Sequence, residues 1–297
     1  MSDLIESLQF VFAPQMINGL SIGVAVILMA LGLTIIFGLL DVINMAHGEY
    51  YALGAYTALS LTAMGASFWM QLLLVPLLLA PIGYATERLL IQRVFHHKDR
   101  HILTLLLTFG LAIILEDVFK LIYGPQALRA VSPITGTQEI FGMFFPNYRL
   151  FLMGIGSVII AVVWLVVYRT SLGAMVRAAA FDKNMAASLG VPVAHVYAGT
   201  FAFGVALAGL SGVLLAPIYS VFPTMGKDFI LLAFSVVIVG GLGSIKGAVI
   251  AGIVLTQIQA ISSLYISPAW TDPLIFAIMV VVLMVRPQGL FGRIGHA

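Results

Sequence analysis

Cysteine is absent from the 297 residues. That excludes disulfides and thiol catalysis, and it leaves the redox compartment unreadable. Charge is almost as scarce: Asp, Glu, Lys and Arg make up 9% of the chain, against about 25% in soluble domains. No Ser/Gly-rich linker or polar insert is large enough for a second domain. The first ten residues offer only Asp3 and Glu6 as charges, so the basic region of a cleavable signal peptide is missing. With 61% hydrophobic residues and a mean hydropathy of +1.10, the expectation is one all-α domain, a polytopic bundle in a lipid bilayer.

Nine apolar runs approach the ~20 residues that cross a bilayer. They cover about 16–40, 50–66, 69–91, 102–123, 150–168, 197–219, 229–242, 248–266 and 272–286. The seventh and ninth are short enough to be tilted or broken, so eight spans remain an alternative count. With the N-terminus outside, ten of the fourteen Lys and Arg residues fall inside: Arg88, Arg93, Lys98, Arg100, Arg169, Arg177, Lys183, Lys246, Arg286 and Arg293. Positive loops stay inside, which predicts N-out and C-in.

Small residues recur four apart at Gly19 and Gly23, at Gly204, Ala208 and Gly212, and at Ala248 and Gly252. Such faces allow close helix approach, and packing inside one bundle is the simpler expectation than a dimer contact. Residues 124–149, with Pro125, Pro133, Gly136, Gly142 and Pro146, read as an irregular outer cap. On the inner side, within 169–196, Leu172 to Leu189 reads as a short amphipathic helix. Met175, Ala179, Met185 and Leu189 alternate there with Arg177, Asp182, Lys183 and Asn184, and Gly190 and Pro192 end it. It is too short to span; a lipid surface and a partner groove are both open to it.

Polar groups inside apolar runs are expensive and so informative. The stretch from Asp41 to Tyr50 concentrates Asp, Asn, His and Glu. Asn44 and Glu49 suit the start of the second span as a cap and a dipole partner; with His47 they suit equally a hydrogen-bonded cluster at the inner mouth of a solute path. One His and one carboxylate make neither a zinc site nor a triad, so no catalytic and no metal site is expected. Glu116 and Asp117 lie in the fourth span with Lys120 a turn beyond. A local ion pair and a polar step in a solute path are both open. His96, His97 and His101 among Arg93, Lys98 and Arg100 read as a basic collar. The glycines from Gly240 to Gly247 lack the Gly-Lys-Ser/Thr order of a phosphate loop, so any ATP must be bound by another chain.

Several pieces resemble, in order, the permease subunits of bacterial ATP-binding-cassette importers for branched-chain amino acids, the shorter of two paired permeases above all. They are Ile43 to Glu49 leading to Gly54-Ala55-Tyr56, Glu87-Arg88, and Arg177-Ala178 through Ala186 to Leu189-Gly190-Val191. Gly240-Gly241-Leu242-Gly243-Ser244 with Gly247-Ala248, and Arg286-Pro287-Gln288-Gly289-Leu290-Phe291-Gly292, complete the set. The resemblance implies a type II importer-like bundle in the bacterial inner membrane. It implies a second permease, two cytoplasmic ATPases holding ATP and magnesium, and a periplasmic binding protein; no nucleic acid is implied. It makes 172–190 the coupling helix, with Met175, Arg177, Ala179, Asp182, Leu189 and Gly190 at the ATPase. Members of the family also carry amides and urea. An autonomous ion-coupled carrier or channel using Glu49, Glu116 and Asp117 is the alternative from another class.

Overall fold

The computed structural model describes residues 11–95, 97–140 and 142–292. The expectations placed on residues 1–10, His96 and Arg293 lie outside them. Among the described residues nine helices fall on the nine apolar runs. They are α1 (Ala13–Leu40), α2 (His47–Ala63), α3 (Phe68–Thr86, continuing through a wider turn at Glu87–Ile91 to Val94), α4 (Arg100–Tyr123) and α5 (Asn147–Arg169). After two short helices, α6 (Ser171–Phe181) and α7 (Lys183–Ser188), come α8 (Val193–Leu215), α9 (Met225–Gly240), α10 (Ile245–Ser262) and α11 (Pro268–Val285). Six are long and apolar enough to cross a membrane: α1, α3, α4, α5, α8 and α10.

Residues 124–149 contain more regular structure than their glycines and prolines suggested. β1 (Thr137–Ile140) pairs antiparallel with β2 (Met143–Pro146). Leu128 bridges to Val221, tying this loop to the one after α8.

Two helices form the centre. In the most apolar window of α1 and of α8, 78% of residues are buried, against 22% in α3 and α5. Small residues let the others approach these two. A Cβ at Gly212 would strike the backbone of Tyr51, and one at Gly252 would strike Ile27. The small-residue faces therefore close the bundle's own core, as expected.

Cross-contacts sort the loops to two ends. Asp41 pairs with Arg100 at 3.3 Å, Lys183 lies over the ring of Phe95, and Gly243 packs on Gly38. The segment after α11 docks there too, with Leu290 and Phe291 donating to the carbonyls of Val239 and Gly240. Gly241, at φ +101°, leaves room for the Gly292 backbone. The glycine-rich turn is thus a packing joint. At the opposite end Arg149 binds Asn18, Gln257 binds the Met16 carbonyl, and Ser60 meets the Tyr123 hydroxyl at 2.6 Å.

Candidate functional site

The polar stretch after α1 joins two helix ends, as expected, but the second of them lies deep beside α1. Asp41 takes the left-handed conformation at φ 53° and stops α1. The chain then runs back along the first turns of α4: the Met45 amide donates to Thr108 Oγ1 at 3.1 Å, and Thr108 Oγ1 donates to the Ile43 carbonyl at 3.4 Å. α2 begins beside the middle of α1, because His47 Nε2 donates to the Met29 carbonyl at 3.1 Å. Met29 precedes Leu40 by about 16 Å of helix. From Asn44 to Tyr50 the stretch is therefore largely buried within the bundle, while Asp41 and Ile43 stay exposed.

At this level the N-terminal turn of α2 meets that of α9. A Cβ at Gly48 would strike the carbonyl of Gly226, and the rings of Tyr51 and Phe229 meet at a 40° tilt with centroids 4.6 Å apart. A Cβ at Gly226 would come within 2.7 Å of both carboxylate oxygens of Glu49. Glu49 thus sits where the positive ends of two helices converge, a position that favours negative charge. Asn44 performs the capping role in part: its Oδ1 accepts from the Ala46 amide at 3.1 Å. Asn44 Nδ2, His47 Nδ1, Glu49 Oε2 and the hydroxyls of Tyr51 and Tyr56 are buried without a hydrogen-bond partner among the described residues.

Glu116 lies on the face of α4 turned to this junction and is 5% exposed. Its Oε1 pairs with Lys120 at 2.7 Å, the local pair expected from spacing, and its Oε2 pairs with Lys227 of α9. Asp117 reaches Lys120 at 3.2 Å but points away from the core. Around Glu116, Tyr56 stacks on Phe119 and Tyr123 at 4.9 and 4.4 Å. The structure therefore brings Asn44, His47, Glu49 and Glu116 to one buried region and leaves Asp117 at its edge. Lys227 and Gly226 were missed; a Lys-Asp pair opening an apolar run in so uncharged a chain was the available signal.

The second candidate region is the segment between α5 and α8. One helix over 172–189 was expected, but Asp182 breaks it. The Asp182 side chain accepts from the amides of Asn184 and Met185 at 2.8 and 3.0 Å and so caps α7. Gly190, at φ +83°, ends α7 as predicted. Val191 donates to Ala186 and Gly190 to Ala187, the paired bonds of a glycine helix stop. Ala179 is 4% exposed and packs into this chain's own core. Met175 is half-buried against a cavity of about 330 Å³ beside α8. The apolar face turned outward is a different set: Leu172, Phe181, Met185 and Leu189, with Phe181 and Leu189 at 83% and 79% exposure. Of Met175, Ala179 and Leu189, the apolar residues expected at a partner, Leu189 alone is exposed. Arg177 bonds the Val167 carbonyl and lies over the Tyr168 ring, which fixes α6 to the end of α5.

A family model described as "Branched-chain amino acid transport system / permease component" matches residues 15–283 and so covers both regions. The chain belongs to that family. It is 32% identical over 303 residues to the high-affinity branched-chain amino acid transport system permease protein LivH of Escherichia coli (strain K12), across 95% of this chain and 96% of the relative. It is 29% identical over 297 residues to the corresponding BraD protein of Pseudomonas aeruginosa, with the same coverage. The second E. coli permease, LivM, is 26% identical over 290 residues, covering 89% of this chain and 67% of LivM. No solved structure matches the chain. This permease is thus similar to two different permeases of one bacterium, and more fully to LivH.

Proposed function

We propose that this chain is a non-enzymatic permease subunit of an ATP-driven importer of branched-chain amino acids in a bacterial inner membrane. It pairs with a second, LivM-like permease, takes cargo from a periplasmic binding protein, and couples to two ATPases that hold ATP and magnesium. The observation that carries this reading is similarity to LivH over 95% of the chain. Nine spans with the N-terminus outside fit the way Asp41, Arg100, Lys183 and the α11 tail gather at one end of the bundle. That is the end where Lys and Arg concentrate.

Coupling falls to α6 and α7. Four large apolar side chains stand outside the bundle on a short helical pair flanked by Arg177 and Lys183, a face that fits an apolar groove with a charged rim. The buried α2–α9 junction, with Glu49 and the Glu116–Lys227 pair, serves as the element that rearranges when the path opens. Its unpartnered carboxylate is also what an ion-coupled carrier would use.

Reconstitution in liposomes tests the reading. The chain with a second permease, both ATPases and binding protein should accumulate L-leucine only with internal-facing ATP, and the chain alone should carry nothing under an ion gradient. Uptake by the chain alone supports the carrier. ATP-dependent uptake of urea or acetamide with no leucine uptake moves the cargo to amides.

A further inference from the structure

The end of the bundle opposite the coupling segment holds a cavity of about 270 Å³ between α1, α9, α10, α11 and the loop after α8. Its walls differ in kind. Phe229 and Phe276 give apolar faces, and Tyr219 contributes a ring and a hydroxyl. Two carboxylates reach it from different helices, Asp228 in the first turn of α9 and Asp272 in the first turns of α11. Gln259 donates to Asp272 Oδ1 at 2.9 Å and holds that carboxylate at the wall. Behind Phe229, whose ring meets that of Tyr51 at a 40° tilt, the buried Tyr51 hydroxyl has no hydrogen-bond partner among the described residues. That hydroxyl lies within electrostatic reach of Tyr219.

These features select a ligand. Small-molecule sites hold roughly 300–1,000 Å³, so this one suits a compound no larger than a single amino acid. Two carboxylates and aromatic faces attract an ammonium group, and the apolar walls take an aliphatic body. A bare metal ion fits less well, because no group of three metal-ligating side chains occurs among the described residues. We propose that this cavity receives the amino-acid cargo on its way in, with Asp228 and Asp272 facing the ammonium group and the aromatic walls holding the branched side chain. The proposal rests on the importer reading and on the N-terminal end facing outward.

The absence of cysteine makes the test clean. Phe276→Cys introduces the one thiol of this chain, and its alkylation is followed in the assembled transporter in nanodiscs. L-Leucine and 3-methylbutylamine, which keeps the ammonium group, should slow alkylation roughly tenfold near saturation, whereas 4-methylpentanoate, which lacks it, should not. Asp272→Asn in the same background should cost roughly tenfold or more in the leucine concentration needed, as expected for one charge-assisted hydrogen bond. Equal protection by 4-methylpentanoate would overturn the role of the carboxylates. Full leucine uptake by the Phe276→Cys transporter without any protection would overturn the site while leaving the importer reading intact; if the unmodified transporter takes up no leucine, it is that reading which fails. An Asp228→Asn, Asp272→Asn double variant with unchanged leucine uptake kinetics also removes the proposal.

Discussion

The α2–α9 junction and the α6–α7 segment place their side chains in opposite ways. At the junction polar groups are buried among apolar helices: Asn44, His47, Glu49 and Glu116 are each 5% exposed or less. On α6 and α7 apolar groups are exposed among polar ones. A polar group kept in the interior and an apolar group kept at the surface are both costly. On the function proposed above, the first region answers to movement within this chain, and the second to contact outside it.

The sharpest way to break that contrast is to exchange the two kinds of failure. Gly48→Leu drives a side chain into the Gly226 carbonyl, and overpacking of this kind costs about 1–3 kcal/mol or more. It should lower membrane yield and thermal stability before it touches ATPase docking. Fluorescence-detected size exclusion over a temperature ramp checks this. A stable Gly48→Leu protein would mean that the two helix starts are not locked together.

Phe181→Glu with Leu189→Glu should do the reverse. Both residues are exposed in this chain, so its stability should stay within about 0.5 kcal/mol. Coupled uptake and co-purification with the ATPases should fall by more than tenfold, as for anchors at an interface centre. Ala179→Glu is the matched control. Since Ala179 is buried, that variant should unfold α6 locally and reduce yield, whatever the partner. If the Phe181, Leu189 double variant keeps ATPase binding, the exposed face belongs to a lipid surface.

Smaller effects separate the groups inside the junction. Glu49→Ala would remove the carboxyl group from between the first turns of α2 and α9, a loss of roughly 1–3 kcal/mol. Glu49→Gln should recover part of that stability while still slowing uptake, if charge at this point matters to movement. Smallest of all is the difference between the two lysines on Glu116. In double-mutant cycles with Glu116→Gln, Lys227→Met should show a coupling near 1 kcal/mol and Lys120→Met less, since Lys120 also holds the exposed Asp117. Equal coupling for both would make the contact between α4 and α9 incidental.

What was legible in the sequence follows the same division. Nine apolar runs could be counted because bilayer thickness sets a length that composition alone reveals. The pairing of Glu116 with Lys120 followed from helical spacing, and so did the stop at Gly190. The depth of α2 was hidden, since it depends on a hydrogen bond from His47 to Met29 and on Thr108 accompanying the returning chain. The second lysine on Glu116 comes from α9, beyond any local rule. Asp182 was visible as a charge in an amphipathic helix, but its side chain serves α7 as a cap and splits the helix in two. The hairpin between β1 and β2 was lost because its strands have four residues each, too few for an alternating pattern to register.

The burial of α1 also orders events during synthesis. This helix leaves the ribosome before the other eight long helices, yet most of what surrounds it in the finished bundle comes from α8 and α10, including the Ser211 hydroxyl on the Ala25 carbonyl and Thr256 against Gly23. Until those segments are inserted, lipid must cover a surface later covered by protein. Leu, Ile, Val and Ala tolerate both solvents, which is why a 28-residue stretch with so few polar side chains suits the place. The centre of the permease is therefore among the last parts to be completed, and a chain interrupted before residue 245 would carry one of its two central helices with one flank still in the bilayer.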